Sequence, residues 1–258
     1  YDGAALAASE ALKRGDVIND YADYLVDDMS TYGCPITKFV PVTPLNLEEN
    51  YFASSAQINY NIIMPSSDKM FEDGSYMKDN LITTLLSGRG SYFPGDLVSD
   101  SLEILKRNET NYGVPYNVTS DLESTHNQTG IKTTHMYLIL AECAINKGRI
   151  DEAMGYLDKI RVKRIAPAHY RPLLGNVTTK TDAIAALKKT VHGEYCYSIW
   201  NFITCKRWTI LDDYKETRTR ELLGKTYTLT PESDMWVFPF PVTVISQNPN
   251  IKNNYTTK

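Results

Sequence analysis

One stretch constrains the fold more than any other: THMYLILAECAINKG at 134–148, followed at once by RIDEAMGYLDKIRVKR at 149–164. The first part is apolar almost all round, through Met136, Tyr137, Leu138, Ile139, Leu140, Ala141, Ala144 and Ile145. A helix of that kind needs neighbours on several sides, so it is expected at the centre of the core. The second part is one-sided. Ile150, Ala153, Met154, Leu157 and Ile160 recur at helical spacing, and Asp151 and Glu152 in the first turn favour the helix dipole. Gly148 separates the two parts. The pair therefore reads as a helical hairpin with one buried and one solvated arm. Its Tyr137, Leu140, Ala141, Ala144, Ala153 and Leu157 match the small-and-large alternation of a tetratricopeptide helix pair, in which alanines allow close approach. A generic helical hairpin has the same packing.

A weaker signal of the same kind opens the chain. AALAASEALKR at 4–14 is followed, after Gly15, by Val17, Ile18, Tyr21, Tyr24 and Leu25 at helical intervals, so residues 1–33 are expected to form a second tetratricopeptide-like hairpin. A long helix is expected from about Asp182 to Trp208, with Ile184, Leu187, Val191, Tyr195, Ser198 and Phe202 in heptad-like steps and Thr181 as N-cap. Beyond it, Pro231, Pro239, Pro241 and Pro249 forbid continuous helix, and WVFPFPVTVI reads as an extended, largely buried segment that wraps over the helices. The reading is of one mainly α domain over 1–258: hairpins at 1–33 and 134–164, a long helix with an extended C-terminal wrap at 165–258, and a loop-rich insert at 34–133. Within the insert, 76–87 and 96–106 look helical, while 108–133 has almost no apolar residues. Long irregular loops in a compact chain are where recognition sits.

Composition removes several classes of function. A formal net charge of -4 and a pI near 5.6 leave no basic footprint for nucleic acid. The longest apolar run, Met136 to Ala141, is far short of the ~20 residues that span a bilayer. Cys34, Cys143, Cys196 and Cys205 contain no C-x-x-C pair, and His126, His135, His169 and His192 are scattered, so no metal and no cofactor are expected. The cysteines read as reduced, buried thiols. Cys196 and Cys205 within one helix would lie ~13 Å apart, beyond bridging distance. Trp200, Trp208 and Trp236 read as core residues.

Three landmarks in order, HMYLILAECAINKGRIDEAMGYLDKIRVKR, WNFITCKRW and FPFPVTVISQNPNIKNNY, resemble the C-terminal part of the SusD/RagB family. The first is similar to that family's helix pair, with Met136 to Glu142 at its start and Ile160-Arg161 at its end; the last carries Pro239, Pro241, Asn248, Pro249 and Asn250. ALAASEALKRGDV is similar to an earlier repeat, while 34–133 matches chiefly through SYFPGDLVSD. The resemblance implies a tetratricopeptide-based, non-enzymatic lipoprotein on the extracellular face of the Bacteroidetes outer membrane. Such a protein captures oligosaccharides and passes them to a TonB-dependent transporter that its helical repeats face. The chain departs from the family where many members end a helix in Gly-x-Arg-Trp-x-Asp-Leu and this one has SIWNFITCKRWTILDD. Family members are longer, and the chain starts at Tyr1 without Met, so a missing N-terminal portion is expected to hold the lipidated cysteine, the only membrane attachment.

Sugars are held by aromatic rings against the pyranose face, with polar groups bonding the hydroxyls. Arg89, Tyr92 and Phe93 in one Gly-containing turn, and Asn111, Tyr112 and Tyr116 in the polar loop, have that mixture and are the candidate ligand-binding residues. Aromatics that merely anchor their own loops would look the same. Two other functions remain open: a tetratricopeptide adaptor for peptides, and a glycoside hydrolase, for which Glu142, Glu194 and Asp212 are the available carboxylates.

Overall fold

The computed structural model describes residues 1–29, 35–39, 48–52, 61–62, 71–76, 116–117, 129–195, 198–222, 225–248 and 250–252. The fold is mainly helical, with short two-stranded sheets between the helices. The chain divides into two compact units, Tyr1–Asn201 and Phe202–Lys258.

The first unit is built on α1 (Asp2–Leu12), α2 (Thr133–Asn146), α3 (Ile150–Arg161) and α4 (Lys180–Glu194). Helix α2 packs against the other three, as its all-round apolar surface demands. Its Tyr137, Leu138, Ala141, Ala144 and Ile145 are buried, and they meet Ala153, Met154, Leu157 and Ile160 of α3 and Ala183, Leu187 and Val191 of α4. Each fully buried Leu, Ile or Met contributes on the order of 1.5–3 kcal/mol, which makes this three-helix contact the main source of stability in the unit. The α2–α3 turn closes on Gly148 at φ +73°, a left-handed conformation that glycine adopts without penalty; its N–H and that of Arg149 satisfy the terminal carbonyls of Ile145 and Ala144.

Three sequence expectations fail here. Residues 1–33 do not form a helical hairpin. After α1, residues 15–20 have no regular structure, Tyr21–Tyr24 form one 3-10 turn, and β1 (Leu25–Met29) pairs antiparallel with β2 (Pro35–Phe39). The helical spacing of Val17 to Leu25 loses to tertiary hydrogen bonds: Tyr51 bonds the carbonyl of Gly15, the Asn19 N–H goes to the Glu49 carboxylate at 3.1 Å, and the Tyr21 N–H to the Lys163 carbonyl at 3.0 Å. Nor is 182–208 one helix. α4 ends at Glu194 and α5 (Ile199–Trp208) begins after Ser198, whose hydroxyl accepts the Trp200 N–H at 3.3 Å in place of a helical bond. The N-cap of α4 is Thr179 rather than Thr181. Its hydroxyl accepts from the Asp182 N–H and donates to the Asp182 carboxylate, a reciprocal cap with no acidic counterpart three residues beyond Thr181.

In the second unit, Trp208 stacks on Tyr214 with ring centroids 5.6 Å apart, and Trp236 donates its indole N–H to the Thr230 carbonyl at 2.9 Å. These three rings and Cys205 are the buried side chains among its described residues. Strands β7 (Arg218–Leu222) and β8 (Lys225–Leu229) form an antiparallel hairpin that the sequence reading missed. The segment WVFPFPVTVI is neither buried nor extended throughout: among its described side chains only Trp236 is enclosed, and α6 (Val242–Gln247) starts directly after Pro241. The helices expected over 76–87 and 96–106 lie outside the described residues except for Tyr76, as do Cys34 and Cys196.

Candidate functional site

Of the candidate ligand residues, Arg89, Tyr92, Phe93, Asn111 and Tyr112 lie outside the described residues. Tyr116 belongs to β5 (Tyr116–Asn117), which pairs with β4 (Asn61–Ile62) so that Tyr116 stands opposite Ile62. What the structure does bring together is the roots from which the insert leaves the helical core. Three segments, 48–52, 71–76 and 129–132, converge on the C-terminal end of α3, and two buried arginines receive them.

Arg161, in the last turn of α3, grips the second root. Its Nε and Nη2 bond both oxygens of Glu72 at 2.7–3.1 Å, and its Nη1 bonds Asp158 at 2.7 Å and the Arg171 carbonyl at 2.8 Å. Asp158 accepts the N–H groups of Leu173 and Leu174 in addition, which ties the loop after α3 to the same point. Backbone bonds finish the attachment: Ala166 N–H to the Gly74 carbonyl at 2.8 Å and Tyr76 N–H to the Arg164 carbonyl at 3.0 Å. Gly74 sits at φ +72°, and a Cβ there would fall 2.3 Å from that of His169, so the approach tolerates only glycine.

Arg164 receives the first root and two further segments. Its Nε bonds Glu194 at 2.7 Å, its Nη2 bonds Glu49 at 2.9 Å, its Nη1 bonds the Asn19 carbonyl at 2.7 Å, and its plane lies 3.6 Å from the centroid of Tyr21. Glu49 is fully buried; its backbone carbonyl accepts the Thr133 N–H at 2.8 Å, and β3 (Asn50–Phe52) pairs with β6 (Ile131–Lys132), which binds the third root to the first. Lys132 Nζ stands 3.8 Å from Glu49. Two cations and two anions thus share one enclosed site with no net charge, the condition under which buried ions are tolerated. Burial alone would push the Glu194 carboxyl up, but Arg164 and Lys132 pull it down to about 2. Burial opposes charge on Arg164 as well, and Glu194 and Glu49 outweigh it and raise its pKa. His135, beside the cluster and edge-on to Tyr195 at 4.6 Å, is driven down to about 3 by burial and then by the positive Lys132, and is neutral.

Sequence reasoning missed these residues, although a signal existed. Ile150, Met154 and Leu157 advance in steps of four and three, and the same steps lead to Arg161 and Arg164. Arginines falling on the buried stripe of a helix need buried acids, and the acids come from elsewhere in the chain.

The second unit offers a different surface. Phe202 and Phe238 lie ring to ring at 4.5 Å, Phe238 and Phe240 are 67% and 53% exposed, and Met235 and Val237 are exposed beside them. The cavity beneath, between Cys205, Trp208, Tyr214, Glu216, Arg218 and Trp236, is about 10 Å³, room for a water molecule and far less than a sugar ring. Among the described residues no group of three or more His, Cys, Asp or Glu could hold a metal ion, and no helix is long and apolar enough to cross a membrane.

No protein family, curated protein or solved structure matches this chain.

Proposed function

We propose that this protein is a non-catalytic glycan-capturing protein of the SusD/RagB type, lipid-anchored on the extracellular face of the outer membrane, that hands oligosaccharides to a TonB-dependent transporter. One observation carries the reading: Tyr137, Leu140, Ala141, Ala144, Ala153 and Leu157, the positions that match a tetratricopeptide helix pair, are all 7% exposed or less. Three of them are alanines, the residue type that lets paired helices approach closely; this packing agrees with a tetratricopeptide-like hairpin, and the family resemblance built on it implies glycan capture. The exposed rings of Phe238 and Phe240 are of the type that stacks on a pyranose.

The carboxylates favour binding over cleavage. A glycosidase acid needs a raised pKa and a partner carboxylate across the scissile bond. Glu194 is instead committed to Arg164 and held down to about 2, Glu142 is buried on α2, and Asp212 lies exposed beside Lys215, at 2.7 Å. The test is affinity gel electrophoresis of the purified protein in oligosaccharides of gluco, manno and galacto configuration, with a reducing-end assay on the same mixtures. Retardation by at least one glycan with no new reducing ends is expected. Absence of any retardation overturns glycan capture, and release of reducing ends overturns the non-catalytic assignment.

A further inference from the structure

We infer that Arg161 and Arg164 work as one coupled clamp, so that the three roots of the insert tighten and loosen together rather than as separate anchorages. The inference concerns the fold and is independent of what the insert binds. It follows from the order of the bonds. Glu72 of the second root is bonded by the Arg161 side chain, and Tyr76 of the same root by the Arg164 carbonyl, so that root touches both arginines. Between them, the Arg164 and Ile165 N–H groups both bond the Arg161 carbonyl at 3.0 Å, and Ile165 bridges to Ser75. The turn therefore cannot shift at one arginine without displacing the other. From Arg164 the path continues through Glu49 to the first root, and from the Glu49 carbonyl to Thr133 and the third.

Two physical properties make this path stiff. A guanidinium is a planar fork with fixed donor directions, so it cannot follow a receding carboxylate as an ammonium can. Both arginines are also enclosed, 5% and 7% exposed, and water is not at hand to replace a lost bond. A group that binds and orders the chain at one root would accordingly restrain the other two.

The test is native-state hydrogen exchange on the full chain, read by mass spectrometry on peptides covering 48–52, 71–76, 129–132 and, as reference, the middle of α4. Glu72→Gln is suitable because the Glu72 side chain is 27% exposed and its loss leaves the α2–α3–α4 core intact. Arg161→Lys, which keeps the charge but not the fork, is the second variant. The coupled clamp predicts exchange faster by about five-fold or more at all three roots in both variants, the lower end of ordinary site-to-site coupling, with α4 unchanged. Acceleration confined to 71–76 overturns it, and so does an equal acceleration in α4, which would mean that overall stability alone had fallen.

Discussion

Residues 1–201 and 202–258 solve the same problem with different means. The first unit packs one helix, α2, against three others and fills its contacts largely with aliphatic side chains, and it encloses the Arg164–Glu49–Glu194 charges as well. Among its described residues the second encloses three aromatic rings and a cysteine, and leaves Ile203, Ile210, Tyr227, Met235, Phe238 and Phe240 exposed. A large aliphatic interface makes a unit that resists local opening, whereas a small aromatic centre with apolar rings outside offers surface for contact at the expense of internal stability.

The largest effect that could break this contrast is at Arg164. Arg164→Met strands Glu49 and Glu194 in the interior and is expected to cost about 3–5 kcal/mol, measured by urea unfolding. A loss below about 1 kcal/mol would mean that the charge cluster is not a support of the first unit. Leu157→Ala, at a fully enclosed position, should cost about 2–5 kcal/mol and unfold the first unit earlier. Acid should act on the first unit through His135 and Glu194, which both lie in it. The pKa of His135 falls from 6.5 to about 3 on folding, so its contribution is complete above pH 6.5 and is lost as the pH drops toward 3. Glu194 adds a second loss from pH 4.5 down to about 2. His135→Phe should therefore flatten the urea midpoint between pH 6.5 and the onset of the Glu194 loss, and an unchanged slope would remove His135 from the account. Thr179→Ala, which deletes the α4 cap, should cost about 1 kcal/mol. The smallest effect is expected at Phe238→Ser, within about 0.5 kcal/mol, because the ring is outside. If that change destabilised as much as Leu157→Ala, the contrast between the two units would collapse.

What was legible in the sequence followed from spacing along a single element. The α2–α3 hairpin, its turn at Gly148 and its buried face all follow from local periodicity and a left-handed glycine. Where periodicity met competing partners it misled: Val17 to Leu25 have helical spacing, yet the Asn19 and Tyr21 N–H groups bond Glu49 and Lys163, thirty or more positions away. The break before α5 turned on one serine hydroxyl. The charge cluster was illegible for a stronger reason. Glu49 and Arg164 are 115 positions apart, and nothing local to either announces the other. Phe238 and Phe240 were misjudged because apolar residues in a Pro-rich run read as buried, while the pattern says nothing of whether a partner element exists to cover them.

The roots at the end of α3 have a consequence for how such a chain can diversify. Residues 52 and 71, and likewise 76 and 129, are fastened independently of what joins them, so inserting or deleting residues between them leaves both attachment points where they are. The helical hairpin can thus serve as a constant chassis on which new binding loops are grafted, with Gly74, Glu72 and Glu49 as the sockets that every graft must preserve.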